Sequence, residues 1–473
     1  MAFFWTEFFM SSFSVVQTLK RWAKARKTSV RRLRSAVGFS ADVLERRIVP
    51  ALNVSFSAGA LVITEAGSVD NDIEIYLSGG TLQIHDFNDT FSSAPAGTTR
   101  TDSNRRLNVP LADITSLSIT TGGGDDMIDQ FAQITGLSGN LTYNSERLIL
   151  REGASIDISG SISLTGTGSS GTGRGIYIYR PVTSGELTTI RTAGASSTIT
   201  ISGTGGSTSD DVNSGIWVGT RPGTDSGRVL IESVNGNISI VGTGGVWNTP
   251  STAAGDNLPG TLISAATIRT TGSGSISITG YGPTSSDALY GDRDGISVYD
   301  DSIIQTGTGG GLSLTGVGRA AGEGIDTNDS DTVQLSAGSG GLTITGSMAD
   351  SGLGGGAVTL AGSVVSDGGA ISITGTGGSG GTLAVFIAPN GASAANVVLG
   401  STTTTTVTIN GTIAGGSEDA VLITRVTAVG LRVTFLSPAQ LKEPGKALKS
   451  PIPRSRSAPV RSHSPEPHPA TAV

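Results

Sequence analysis

The sequence predicts an all-β chain. The expected fold is a parallel β-helix, or β-solenoid, with a β-rich N-terminal cap and disordered termini. Three observations predict it. A short apolar-polar alternation ending in glycine recurs along the chain, as in Ile162-Ser163-Leu164-Thr165-Gly166, Ile199-Thr200-Ile201-Ser202-Gly203, Ile276-Ser277-Ile278-Thr279-Gly280 and Ile371-Ser372-Ile373-Thr374-Gly375. The closing glycines, from Gly166 through Gly411, are 37, 39, 38, 36, 30, 29 and 36 residues apart, a period that belongs to solenoids and arrays. Each period also holds two further strand-like stretches, so one repeat supplies three short strands.

The strand order within a period is regular. A Gly-Ile strand comes first (Gly175-Ile176-Tyr177-Ile178, Gly215-Ile216-Trp217-Val218, Gly295-Ile296-Ser297-Val298). An Ile-x-Thr strand follows (Ile190-Arg191-Thr192, Ile268-Arg269-Thr270, Ile304-Gln305-Thr306), and then the Ile-x-Ile-x-Gly strand. In the period ending at Gly280, Gly260-Thr261-Leu262-Ile263 stands in for the Gly-Ile strand. Three strands per period fit a triangular coil in which the same strand of successive repeats pairs in parallel. Residues i and i+2 then point inward as Ile/Leu/Val ladders while Ser and Thr point out. Seven or eight such rungs span roughly 35–40 Å.

Four regions follow from this reading. Residues 1–47 are a leader: a Phe-rich apolar stretch interrupted by Glu7, then a basic run from Lys20 to Arg34. The positive charge follows the apolar part, the reverse of an ordinary signal peptide, and membrane contact is expected only through this leader. Residues 48–150 are a β-rich N-terminal cap or entry section, with alternation at Leu61-Val62-Ile63-Thr64 and Ile73-Glu74-Ile75-Tyr76-Leu77 and a hairpin signal at Ser78-Gly79-Gly80. Residues 151–436 are the β-helix. Residues 437–473, with eight of the 17 prolines, are a disordered basic tail.

Composition narrows the function. The chain has no cysteine, which excludes disulfides, thiolate metal sites and Cys nucleophiles. The net charge of −7 conceals basic ends and an acidic body, since residues 48–436 hold 15 Lys/Arg against 33 Asp/Glu. Such a body repels phosphate, so nucleic acid is not an expected partner.

Two resemblances bear on export and fold. Leu44-Glu45-Arg46-Arg47-Ile48-Val49-Pro50-Ala51, placed after a basic run and before β-rich repeats, resembles a short element near the N-terminus of many large planctomycete-type surface and secreted proteins. The alternation of Gly-Ile-x-Val, Ile-x-Thr and Ile-Ser-Ile-Thr-Gly-Thr-Gly over residues 150–430 is similar to the repeats of filamentous-haemagglutinin-type bacterial surface β-helix proteins. These resemblances imply an extracellular or cell-surface protein, structural or adhesive and not an enzyme, with surface polysaccharide or a matrix component as partner.

Candidate site residues are few. Gly122–Asp129 resembles one copy of the calcium-binding nonapeptide of RTX-type proteins, with Asp126 at the Asp position, Ile128 at the apolar one and Thr121 where the first Gly should be. It nominates Asp125, Asp126 and Asp129 as metal ligands and calcium as the cofactor, and with them the alternative of a calcium-stabilised binding module, against the plainer reading of an acidic turn. Asp292-Arg293-Asp294, Asp300-Asp301 and Asp326-Asn328-Asp329-Asp331 are acidic clusters in adjacent repeats, as in parallel β-helix polysaccharide lyases and hydrolases, and they define the alternative of a carbohydrate-active enzyme. Tyr177 and Trp217, expected one rung apart on one outward face, are candidate glycan contacts.

Overall fold

The computed structural model describes residues 52–435, apart from residues 66, 170–172, 208–212, 220–226, 248–258, 286–292, 320–321, 328–331, 349–355, 379–382, 390–396, 414–419 and 425. The leader before residue 52, the tail after 435 and the Trp247 side chain lie outside the described residues, as do Asp292, Asn328, Asp329 and Asp331.

The chain is a parallel β-helix with three faces, one for each strand of the period. On the Gly-Ile face, eleven strands from Asp72–Ser78 to Val421–Ile423 pair in parallel, each with its counterpart one turn later. Ten steps of about 4.8 Å give a coil roughly 48 Å long. The other two faces form one 21-stranded sheet, because Val397–Ile413 and Val426–Phe435 each run round the corner between them.

Alternation sets the core. Ile162, Ile199, Ile238, Ile276, Leu312, Leu342 and Ile371 pair rung to rung, and Leu164, Ile201, Ile240, Ile278, Leu314, Ile344 and Ile373 form the parallel ladder two residues on. All are nearly or fully buried. The predicted stand-in, Thr261–Ser264, occupies its place on the Gly-Ile face between Ile216–Val218 and Ile296–Tyr299. Thr261 takes an isoleucine position there, fully buried, and its hydroxyl donates to the Thr279 carbonyl at 3.3 Å.

The glycine that closes each Ile-x-Ile-x-Gly strand has a steric cause. It points inward at a corner, where a Cβ on Gly166, Gly203, Gly280 or Gly316 would lie 1.9–2.2 Å from the carbonyl oxygen of the glycine that opens the next Gly-Ile strand. Real Cβ contacts are never so short, so only glycine closes this corner.

Two expectations change. The coil begins well before residue 151: Ala60–Thr64, Ser116–Thr120 and Leu141–Ser145 are already in-register parallel strands of the Ile-x-Ile-x-Gly face. The cap is smaller and antiparallel. Asn53–Ser57 folds back on Ala60–Thr64, and Thr81–Asp86, Arg106–Pro110 and Thr99–Thr101 extend the hairpin that turns at Gly79 and Gly80, both at positive φ. An antiparallel cap ends the coil without leaving its first parallel strand as an open edge.

The threonines of the Ile-x-Thr strands also do not all point outward. Thr192, Thr270 and Thr306 are buried at i+2 from the core isoleucine. Their hydroxyls donate to turn carbonyls, Thr192 to Gly160 at 2.6 Å, Thr270 to Gly274 at 2.7 Å and Thr306 to Gly310 at 2.9 Å. An inward hydroxyl satisfies a turn carbonyl that an aliphatic side chain would bury unpaired.

Candidate functional site

The Ile-x-Ile-x-Gly face presents its outward residues as two ranks. The first runs through ten consecutive strands without interruption as Ser or Thr, from Ser118 by way of Thr142, Ser163, Thr200, Ser239 and Ser277 to Thr408. The second, two residues on, includes Thr120, Thr165, Ser202, Thr279, Thr315, Thr345 and Thr374, with Asn144 and Val241 between and Asn410 after them. Neither rank contains a charge. Hydroxyls therefore repeat about every 4.8 Å along the coil and about 6.6 Å across it. These side chains are half-buried to exposed, and no side-chain hydrogen bond among the described residues engages their hydroxyls. At the N-terminal end of the face a shallow depression of about 310 Å³ is lined by Ser116, Leu117, Ser118, Gly139, Asn140 and Thr142.

The outward row of the Gly-Ile face differs. Tyr177 and Trp217 pair directly, one rung apart as expected, with ring centroids 5.7 Å apart. They are not displayed: Tyr177 is 9% and Trp217 5% exposed. With Leu262 and Tyr299 they form a second apolar cluster outside the coil, against which Tyr179 packs. The Arg174 guanidinium lies over both rings, 4.4 Å from the Tyr177 centroid and 4.0 Å from that of Trp217, and Tyr179 stacks on Tyr177 at 3.8 Å. The ring faces meant for a glycan are occupied by the chain itself.

The three nominated metal ligands do not converge. Asp125 is exposed; its amide donates to Asp70 Oδ1 at 2.9 Å and its carboxylate accepts from Ser169 Oγ. Asp129 lies in the outward row beside Glu74, where Arg151 Nε donates to both its oxygens at 2.8 Å. Burial raises its carboxyl above the usual range, and the Arg151 hydrogen bonds oppose that shift. Asp126 points the other way, into the coil, and is fully buried. An odd offset along extended chain puts side chains on opposite faces, so Asp126 and Asp129 cannot share an ion. Asp126 instead meets Glu146 one turn later, a residue that sequence reading overlooked. Burial and the hydrogen bond with Asp126 push the Glu146 carboxyl up to about 7.

Among the acidic clusters of adjacent repeats, the structure joins Asp294 and Asp326 through another overlooked residue, Glu323. The Glu323 amide donates to Asp294 Oδ1 at 2.7 Å, and Ser297 Oγ donates to Asp294 Oδ2 at 2.8 Å. Burial, then the charges of Asp326 and Asp294, hold the Glu323 carboxyl well above the usual carboxylate range. Asp300 turns away to accept from Ser264 Oγ at 2.7 Å. Glu323 falls two residues before the Ile325–Asp326 strand, as Asp294 falls two before Ile296, so equivalent repeat positions were the available signal.

Among the described residues no helix is long and apolar enough to cross a membrane. No protein-family model matches this chain, and neither a curated protein nor a solved structure matches it.

Proposed function

We propose that this chain is an extracellular or cell-surface structural and adhesive rod whose hydroxyl-bearing face lies along a neutral surface polysaccharide or matrix polymer. The observation that carries the reading is the unbroken Ser/Thr rank from Ser118 to Thr408. Each hydroxyl both donates and accepts, so the face can exchange hydrogen bonds with sugar hydroxyls without any charge. Single contacts of this kind are weak, but contacts held on one rigid body add up through effective concentration. The coil loses little conformational freedom on binding because its backbone is already ordered. The acidic body and the export-type element at Leu44–Ala51 support a surface location for such a rod.

The test is co-sedimentation of the full chain with insoluble cellulose, chitin and an acidic polysaccharide. A variant carrying Thr200→Val, Ser239→Ala, Ser277→Ala and Ser313→Ala removes four adjacent hydroxyls of one rank while keeping the inward ladder. Retention on a neutral polymer that falls several-fold in this variant, with an unchanged far-UV spectrum, is the expected result. Equal retention of variant and parent, or retention on the acidic polymer alone, refutes the reading.

One observation favours a second reading, a carbohydrate-active β-helix. A carboxyl raised by burial beside further carboxyl groups is how a general acid is set up in glycoside cleavage, and Glu323, raised well above the usual range beside Asp326 and Asp294, has that arrangement. Soluble fragments in the same assay, abolished by Glu323→Gln, would replace adhesion with catalysis.

A further inference from the structure

We infer that Asn71, Asp126 and Glu146, stacked on three successive turns of the coil, form a divalent-cation site that ties the N-terminal turns together, and that its all-oxygen donor set suits calcium.

The placement follows from the backbone. Met127 N donates to Asn71 O at 2.8 Å and Arg147 N to Asp126 O at 3.0 Å, which sets residues 71, 126 and 146 in one rank of the parallel ladder. That rank lies two positions before Ile73, Ile128 and Leu148, on the same inward side. Neighbouring members are one rung, about 4.8 Å, apart, a separation at which one ion can touch side chains from both. The site is closed on two of its three sides: Asp126 is 0% and Asn71 1% exposed, and Glu146 is half-buried. Asp126 Oδ1 accepts from the Asn71 amide at 2.7 Å, whereas Asp126 Oδ2, Glu146 Oε2 and Asn71 Oδ1 are buried with no hydrogen-bond partner. Ser145 Oγ, 3% exposed at the same corner, is also without one.

The Asp126 and Glu146 carboxyl groups are within hydrogen-bond contact of each other. Buried carboxylate oxygens that no donor reaches are the kind of ligand a cation satisfies. The nearest basic side chains are committed elsewhere. Arg147 reaches the Met127 sulfur at 2.6 Å, Arg151 binds Asp129, and Arg174 lies over Tyr177 and Trp217. Later rungs have no such need: the corner beside Gly166 and Gly175 is closed by backbone alone.

The chemistry of the donors selects the ion. Two carboxylates, an amide carbonyl and a hydroxyl are hard oxygen ligands, which calcium accepts in flexible geometry with main-chain carbonyls or water completing the shell. The chain has no cysteine, and no histidine belongs to this rank of the ladder, so no soft ligand favours zinc. Among the described residues no three Asp, Glu or His side chains converge on one point, so a site with two carboxylates belongs with weak extracellular modules, with Kd of about 10⁻⁴–10⁻³ M.

The experiment uses the full chain stripped with EDTA at neutral pH. Thermal unfolding is followed by far-UV circular dichroism while calcium is raised to about 10 mM, well above that Kd range, and equilibrium dialysis counts bound ions. One ion per chain and a rising Tm are expected. Asp126→Asn and Glu146→Gln keep side-chain volume while removing charge, and each should weaken the calcium response at least tenfold. Asp125→Asn should leave it within twofold. Absence of bound calcium in the parent chain overturns the site. A calcium response kept in Glu146→Gln, or lost in Asp125→Asn, overturns the assignment of ligands.

Discussion

Gly280→Ala tests the packing of the coil at one of its tight corners. A Cβ at this position would lie 1.9 Å from the Gly295 carbonyl oxygen, 2.5 Å from its carbon and 2.7 Å from Ile296 Cγ1. The first two atoms belong to backbone held on both sides, since the Gly295 carbonyl accepts from Thr261 N at 3.0 Å and its amide donates to Glu323 O at 2.9 Å, and Gly280 is itself fixed because Ile276–Tyr281 pairs with both Ile238–Thr243 and Leu312–Gly318. Restoring ordinary contact requires a shift of about 1.5 Å, and rotating a side chain cannot supply it. Overpacking usually costs about 1–3 kcal/mol, and a rigid backbone obstacle puts this substitution at about 3 kcal/mol or above. Gly309→Ala is the control: its new methyl group would find Ser273 Cβ at 3.4 Å, an ordinary contact, so a change within about 0.5 kcal/mol is expected. Stability is roughly a sum over rungs in a solenoid. The loss should therefore appear both in denaturant unfolding and as faster amide exchange confined to the rungs around Gly280. If Gly280→Ala is as stable as Gly309→Ala, the corner is not closed as described and the steric account of the repeated glycine is refuted.

Glu232 stands between Arg191 and Arg269 in a charge ladder on the Ile-x-Thr face, with Arg191 Nε at 2.7 Å and the Arg269 guanidinium at 2.5 Å. Burial opposes its ionisation, but the hydrogen bonds from Arg191 and Arg269 prevail and hold the carboxyl below the usual range. A depressed carboxyl contributes stability above its unfolded pKa, about 4.3, and loses it as pH falls through the lower folded value. Glu232→Gln should cost about 1 kcal/mol at pH 7, a charged hydrogen-bond energy discounted because both arginines are over a third exposed. It should also flatten the decline in Tm below about pH 4, and an unaltered acid limb would count against the ladder. Thr270→Val should destabilise by about 1–3 kcal/mol, because it strands the Gly274 carbonyl and the Gly307 amide that the hydroxyl now serves at 2.7 and 3.2 Å. Urea midpoints equal to the parent would show that these groups find other partners.

Much of the fold was legible because the same local pattern is repeated. Alternation at Ile276-Ser277-Ile278 assigns inside and outside for one strand, and the repeats at Ile238 and Leu312 assign the same sides to its neighbours. The substitute strand at Thr261 could be found because only one stretch in its period could fill the gap. The candidate sites were less legible. Asp125, Asp126 and Asp129 are adjacent in sequence yet point in different directions, whereas Asp126 and Glu146 meet across a full turn. Tyr177 and Trp217 are neighbours as expected, but the amino-acid pattern does not reveal that Arg174 and Tyr179 cover their rings.

The sequence by itself determined the three-strand period, the inward ladders, the polar outward ranks and the demand for glycine at one corner, because each depends on side-chain alternation and backbone sterics within a few residues. Only the tertiary structure decided where the coil begins, which threonines turn inward, and which carboxylates share a site. Those outcomes depend on how turns of unequal length stack. Glu146 lies 20 residues from Asp126 and Glu323 lies 29 from Asp294, and only rung-to-rung register brings each pair together.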